Sequence, residues 1–200
     1  MSRARLQRDR IVRRALEIAD AEGLDAVSFR RLAADLGVTP MALYRHLADR
    51  SDLLVAMTDL ILAEIELPED TGGDWADALR DVLRSAMAAY ARHPAAPALT
   101  SSGWWTARSL TLTETLVRLL TRAGFTEREG LVIVQRLSDA ALAEAWAAAG
   151  EALGEALQGF PGLEAALRQT APSDPRTFGV ELVIAGAQAL AAAREDQQHA

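Results

Sequence analysis

Nineteen residues near the N-terminus, Ser28 to His46, carry the side chains best arranged to do chemistry. They spell a short segment with an apolar stripe, a glycine at Gly37, and a second segment that opens Thr39-Pro40-Met41 and ends Arg45-His46. Two small helices joined by a short turn containing Gly are the layout that carries a helix into duplex DNA. The major groove, about 12 Å wide, admits one helix, whose outward and N-terminal residues meet base edges. Leu32, Val38, Leu43 and Leu47 are the apolar anchors of such a pair, and Thr39, Pro40, Met41, Arg45 and His46 its candidate reading surface. Arg45 could fork onto guanine O6 and N7, grip a phosphate, or be merely solvated.

Competing chemistries lack their residues. The 200-residue chain has no Cys, which removes thiolate metal sites, cysteine nucleophiles and disulfides. Its three His, at 46, 93 and 199, form no pair one helical turn apart, and there is no Walker loop or dinucleotide glycine fingerprint. Neither a metal nor a cofactor is expected, and with no nucleophile elbow to mark a serine triad the chain is not expected to be an enzyme.

The elements that must position the reading surface follow from composition and period. Ala (41) and Leu (29) dominate while aromatic residues make up only 5%, which favours an all-α fold. Ile11, Ala15, Ile18 and Ala19 fall at helical spacing over residues 6–21, and Gly23 supplies the stop. Ser28 caps a helix that ends at Gly37; Thr39 can cap the next, with Pro40 at its first position, over residues 39–46. A fourth helix starts near Ser51 or Asp52 and reaches residue 66, before the linker Pro68 to Asp74. The rest reads as helices near 75–92, 95–101, 107–123, 127–149, 151–170 and 175–195. The expected organisation is an N-terminal domain over 1–67 and a larger helical domain over 68–200.

Charge divides the same way. All 21 basic residues are Arg, and the net charge is −7. Residues 1–50 hold 10 Arg against 7 acids, whereas 51–200 hold 11 against 21. One end can face a polyanion. The cluster Arg3, Arg5, Arg8 and Arg10 is either a solvated helix start or an arm along phosphates. No stretch reaches the ~20 apolar residues of a bilayer crossing, so no membrane association and a cytoplasmic location are expected.

The run Ser28-Phe29-Arg30-Arg31-Leu32-Ala33 with Leu36-Gly37-Val38, then Ala42-Leu43-Tyr44-Arg45-His46-Leu47 and Asp52-Leu53-Leu54, resembles the tetracycline-repressor (TetR) family over residues 6–66. Arg92-His93-Pro94, and Phe178-Gly179 with Leu182 and Gly186, are more loosely similar to the branch with a tetracycline-repressor-like C-terminal domain. The resemblance implies a bacterial transcription regulator, most simply a repressor released from a palindromic operator by a small hydrophobic or aromatic effector. It implies that Arg30 touches base or phosphate and that Thr39, Pro40 and Met41 open the reading helix. Tyr44 and His46 would grip phosphates, and Arg50 stands where the family offers a Lys to the DNA backbone. Arg for Lys keeps the charge and adds a fork. Position 45 departs from the family's namesake, which has tryptophan there, so an operator sequence does not transfer.

One small helix in a groove gives too little contact for specificity, so a homodimer reading two half-sites is expected. Small residues at Val134, Ser138, Ala141, Ala145 and Ala148, and at Leu182, Ala185, Gly186, Ala189 and Ala193, line two helices that could form the dimer bundle, or an intrachain core instead. Aromatic and apolar residues Met87, Tyr90, Trp104, Trp105, Leu116 and Trp146 are the candidate effector contacts, with ordinary core packing as the alternative for each. Trp75 and His93-Pro94 read first as helix-end features. A helical adaptor binding protein rather than DNA is the rival reading; strong salt dependence on random duplex separates the two.

Overall fold

The computed structural model describes residues 7–67, 74–100, 105–148 and 178–198, with backbone alone over 143–148 and at 195, 197 and 198. The described residues are helical throughout, with connecting turns: α1 Arg8–Glu22, a 3-10 turn Leu24–Ala26, α2 Phe29–Leu36, α3 Pro40–Leu43, α4 Arg50–Leu62, α5 Trp75–Arg92, α6 Ala96–Thr100, α7 Ala107–Arg122, α8 Glu127–Ala148 and α9 Phe178–Gln198. The all-α expectation holds. The helix expected over 151–170 lies outside the described residues. Among those residues no helix is long and apolar enough to cross a membrane, and no cluster of three or more His, Asp or Glu could hold a metal ion.

The chain forms two compact units: residues 1–65 with 89–110, and residues 66–88 with 111–200. In the first, α1 packs on α2 and α4, α2 on α3, and α4 on α6. Ile11, Ala15, Ile18, Leu32, Leu43, Leu53, Met57 and Ile61 are each no more than 1% exposed and make its core. Gly23 ends α1 at φ +88 and ψ 161, a conformation that a Cβ would disfavour. This is the mirror of an extended backbone rather than the left-handed helical turn, and it turns the chain directly into the 3-10 segment.

The C-terminal end of α4 is closed by a residue far along the chain. Arg108 donates to the Leu62 carbonyl at 3.2 Å and the Ile65 carbonyl at 2.8 Å, placing a cation on carbonyls without a helical partner. α4 therefore stops at Leu62, short of the expected 66, and turns through residues 63–65.

His93, at the end of α5, is held on both ring nitrogens. Nδ1 lies 2.7 Å from Asp20 on α1, and Nε2 lies 3.1 Å from Glu64. The other Asp20 oxygen accepts from the Ala95 N–H at 3.1 Å, and Arg92 adds a second ion pair to Glu64. Burial alone would lower the imidazole pKa; the two carboxylates more than offset that, and it rises above its ordinary 6.5. Burial likewise pushes Glu64 up, but His93 and Arg92 bring it below its ordinary 4.5. A raised histidine contributes stability fully present below pH 6.5 and lost as pH rises through its folded pKa; the Glu64 contribution is lost as pH falls. The thermal midpoint is thus expected to fall as pH rises above 6.5 and through the raised folded pKa of His93, and His93→Gln to flatten that decline. Equal slopes in the two proteins would contradict the assignment.

In the second unit α8 packs on α9. Thr126 and Glu129 form a reciprocal capping box at the start of α8: the Thr126 N–H donates to Glu129 at 2.9 Å and the Glu129 N–H to Thr126 Oγ1 at 3.3 Å. Arg194 of α9 pairs with the same carboxylate and, with Thr126, holds it down at about 2. Trp75 meets Phe125 edge to face at 5.5 Å, and the Arg194 guanidinium lies 5.6 Å from the Phe125 ring centre, so Trp75 has the structural role expected. Val180, Ile184 and Ala187 of α9 face inward, whereas Leu182, Ala185, Gly186, Ala189, Leu190 and Ala193 are exposed. On α8, Val134 and Ala141 are buried within this unit and Ser138 is exposed. The first two of those expected dimer positions therefore belong to the chain's own core; the side chains of Ala145 and Ala148 lie outside the described residues.

Candidate nucleic-acid interface

The geometry around Ser28–His46 is set by how α2 starts and stops. Ser28 is extended and its hydroxyl accepts from the Arg31 N–H at 3.2 Å, capping α2 as its spacing predicts. Gly37 adopts the left-handed conformation, φ +67 and ψ 35. With it come two reverse bonds, Gly37 N–H to the Ala34 carbonyl at 3.2 Å and Val38 N–H to the Ala33 carbonyl at 2.9 Å. This pairing closes a helix with its last carbonyls satisfied and sets the direction of the next segment.

α3 is a single turn with Pro40 in its first positions. Thr39 does not cap it through its side chain, contrary to expectation. The Ala42 N–H, one of the two donors such a cap would serve, already bonds the Thr39 carbonyl at 2.9 Å. The turn is instead held by packing: Leu43 is 0% and Leu47 1% exposed, with Leu32 at 0% beneath them. Val38, expected as a fourth anchor, is only half-buried.

With one side sunk into the core, α3 presents the other. Thr39, Pro40, Met41, Tyr44 and Arg45 are exposed, Met41 at 71% and Tyr44 at 51%, and His46 is half-buried. The Tyr44 ring lies flat on Phe29, the first residue of α2, with centroids 4.6 Å apart and planes 13° from parallel. Nothing in the linear sequence singled out Phe29. Its position opening the helix before the turn is the one available signal.

Behind this surface the arginines divide into two sets. Arg8 forks onto Asp52 at 2.6 and 3.1 Å and donates to the His46 carbonyl at 2.7 Å, pinning the start of α1 to the segment after α3. Asp52 also accepts from the Ala48 N–H at 2.9 Å, while its own N–H donates to Asp49 at 2.9 Å. α4 is therefore capped by Asp49 and starts at Arg50, next to the expected start near Ser51 or Asp52, and the Arg8 guanidinium first, with the Ala48 N–H, holds the Asp52 carboxyl below its usual range. The Asp49-x-x-Asp52 spacing was the signal for it. Arg14 and Arg31 meet at Asp35, and Arg31 continues to Glu22.

Arg50 donates to the Val27 carbonyl at 2.6 Å and to the Leu24 carbonyl at 3.2 Å, so its fork is engaged by the backbone that leads into α2. The residue as a whole remains exposed. Among the described residues, Arg10, Arg13, Arg30 and Arg45 make no ion pair, and all four are exposed. Arg30 and Arg45 flank the exposed side of the α2–α3 pair in sequence.

The candidate effector contacts are less uniform. Met87 and Tyr90 lie one turn apart on α5, both half-buried, and burial pushes the Tyr90 phenol up to about 12. Leu116 is buried in α7, whereas Trp105 is 66% exposed. Trp104 and the Trp146 side chain lie outside the described residues.

Residues 11–57 match the family of bacterial regulatory proteins, tetR family, and residues 67–190 match the tetracyclin repressor-like, C-terminal domain. Over 87 residues the chain is 46% identical to the HTH-type transcriptional repressor DrrR1 of Streptomyces coeruleorubidus, covering 43% of this chain and 32% of that protein. It is 30% identical over 138 residues to the class D tetracycline repressor protein of Escherichia coli, covering 68% and 63% of the two chains. The matched stretches thus span less than two thirds of either relative's length. The crystal structure of the Streptomyces coelicolor TetR family protein ActR in complex with actinorhodin superposes with TM-score 0.78 at 29% identity, covering 94% of this chain and 99% of that one.

Proposed function

This chain belongs to the tetR family of bacterial regulatory proteins, and on that premise we propose that it is a DNA-binding transcriptional regulator, a repressor that leaves a palindromic operator when a small hydrophobic or aromatic effector binds. The observation that carries this reading is α3 itself: a single helical turn seated on Leu43 and Leu47 that turns Met41, Tyr44 and Arg45 outward. Thr39, Pro40, Met41 and Arg45 meet base edges, while Arg30, Tyr44, His46 and Arg50 hold the sugar-phosphate backbone. Arg50 does so from a guanidinium already fixed by two carbonyls, which limits it to whatever donor it has left. The DNA-binding domain is residues 1–67, and residues 68–200 bind effector and dimerise. The regulator works in the bacterial cytoplasm.

Two chains act together. The exposed row Leu182, Ala185, Gly186, Ala189, Leu190 and Ala193 on α9 is apolar and small, the character of a helix that packs closely on a second copy. A Cβ added at Gly186 would meet nothing within 4 Å of its own chain, which leaves room there for a partner. Met87, Tyr90, Trp104, Trp105, Leu116 and Trp146 are the effector contacts of this reading, and the complex of ActR with actinorhodin supports the binding of a ligand. The effector acts by favouring a dimer whose reading helices no longer match the groove, a population shift that is reciprocal in binding energy.

A titration of a random 30-base-pair duplex across salt concentrations tests the reading at its base. Affinity should fall steeply with salt, each neutralised phosphate contributing a slope of about −0.9 in log–log terms. Sedimentation should find two chains on each operator-length duplex. A salt-independent affinity, or no affinity at low salt, would refute it and leave the protein-binding adaptor.

A further inference from the structure

We propose that Phe29 is a positioning residue for DNA contact: its ring, stacked under Tyr44, fixes the direction in which the Tyr44 hydroxyl meets the duplex. The inference rests on the reading of α3 as the groove helix and adds a residue outside α3 to it. Tyr44 follows the last residue of a one-turn helix and opens the turn over residues 44–46, whose bonds from the His46 and Leu47 N–H groups to the Leu43 carbonyl fix the backbone and leave the Tyr44 side chain free. Half its surface is in solvent, 51%, and its hydroxyl has no partner among the described residues. A lone exposed tyrosine there would sample the staggered χ1 wells, generally three. The parallel Phe29 face at 4.6 Å and 13° selects one of them.

Phe29 is itself fixed. It is the first residue of α2, half-buried, and directly follows Ser28, whose hydroxyl caps the helix. Cap, helix start, ring and hydroxyl form one line of support from the start of α2 to the outer surface of the unit. A neutral hydroxyl donor on that surface suits a phosphate oxygen, and a phosphate contact positions the protein without reading sequence. The stack thus sets overall affinity and leaves base choice to other residues.

The test is a double-mutant cycle on duplex binding, with Phe29→Leu and Tyr44→Ala singly and together. Leucine keeps apolar volume and removes the ring face. Freeing one of three wells loses roughly threefold per chain, and two chains on one operator give roughly tenfold. Phe29→Leu should weaken operator and random duplex by the same factor of about ten with the salt slope unchanged, because no cation is lost. It should have no further effect in the Tyr44→Ala background, and Phe29→Tyr should restore binding. Thermal melting of each variant separates loss of fold from loss of contact; should Phe29→Leu melt early, Phe29→Trp, which keeps a ring, must retain binding. An equal loss with or without Tyr44, or a loss confined to the operator, would overturn the proposal. Failure of the unaltered protein to bind any duplex would instead refute the regulator reading.

Discussion

Replacing Leu43 by alanine is expected to cost about 2–5 kcal/mol and to remove duplex binding with it. The side chain is fully buried and belongs to a helix of four residues. Isolated helices shorter than about 12 residues are marginal in water, so α3 exists because Leu43 and Leu47 hold it against α2 and the core. Small domains are stable by roughly 5–15 kcal/mol, so the loss is a large share of the total. Urea unfolding followed by circular dichroism gives the number, and Met41→Ala is its control. Met41 is 71% exposed, and that change should alter stability by no more than about 0.5 kcal/mol. If Leu43→Ala unfolded within 1 kcal/mol of the native chain, the packing account of α3 would be wrong.

The second large effect is on specificity. Arg45→Ala should weaken operator binding far more than binding to random duplex. A good bidentate contact to guanine is worth about 1–3 kcal/mol of discrimination, and a symmetric pair makes it twice, which predicts a loss of roughly 30-fold to 10⁴-fold. Arg45 is suited to this because it lies two residues beyond the end of α3, is exposed, and has no ion-pair partner among the described residues. Arg14 is the contrasting case. It is tied to Asp35 at 2.7 Å and Glu17 at 2.8 Å, and its replacement should leave the operator-to-random ratio unchanged. An equal loss on both duplexes with a flatter salt slope would assign Arg45 to a phosphate and contradict base reading.

What could be read from sequence and what could not divides along one physical line. Helix ends governed by local backbone chemistry were legible: Gly37 with its two reverse bonds, Ser28 as a cap, and Gly23 at φ +88 closing α1. The exposed side of α3 was legible too, because Leu43 and Leu47 fix which side is buried. Interactions between residues far apart in the chain were not. Arg8 finds Asp52 across 44 positions, His93 finds Asp20 across 73, and Arg108 closes α4 from 43 positions beyond Ile65. Each is a side chain whose charge was plain in the sequence and whose partner was not, since nothing local selects among the 28 acids.

Those partners change how the basic N-terminal region is understood. An excess of arginine over residues 1–50 suggests a uniformly cationic face, yet Arg8, Arg14, Arg31 and Arg50 brace α1, α2 and α4 and the segments between them. Arg8 in particular is withdrawn from any arm along the phosphates by Asp52 and the His46 carbonyl. Among residues 7–67, Arg10 and Arg13 on α1, Arg30 on α2 and Arg45 beyond α3 remain without an ion pair, and Arg50 keeps whatever donors its two carbonyls leave. On α8, likewise, small residues at helical spacing could not reveal whether they faced a second chain or their own; Val134 and Ala141 face their own.

The most direct test of the central claim is selection of bound sequences from a random duplex pool by the intact protein at low salt. The account predicts an enriched inverted repeat, its half-sites centred about one helical turn or a multiple apart, as two copies of α3 on one face of the duplex require. Enrichment of nothing, or of a motif without two-fold symmetry, would contradict it.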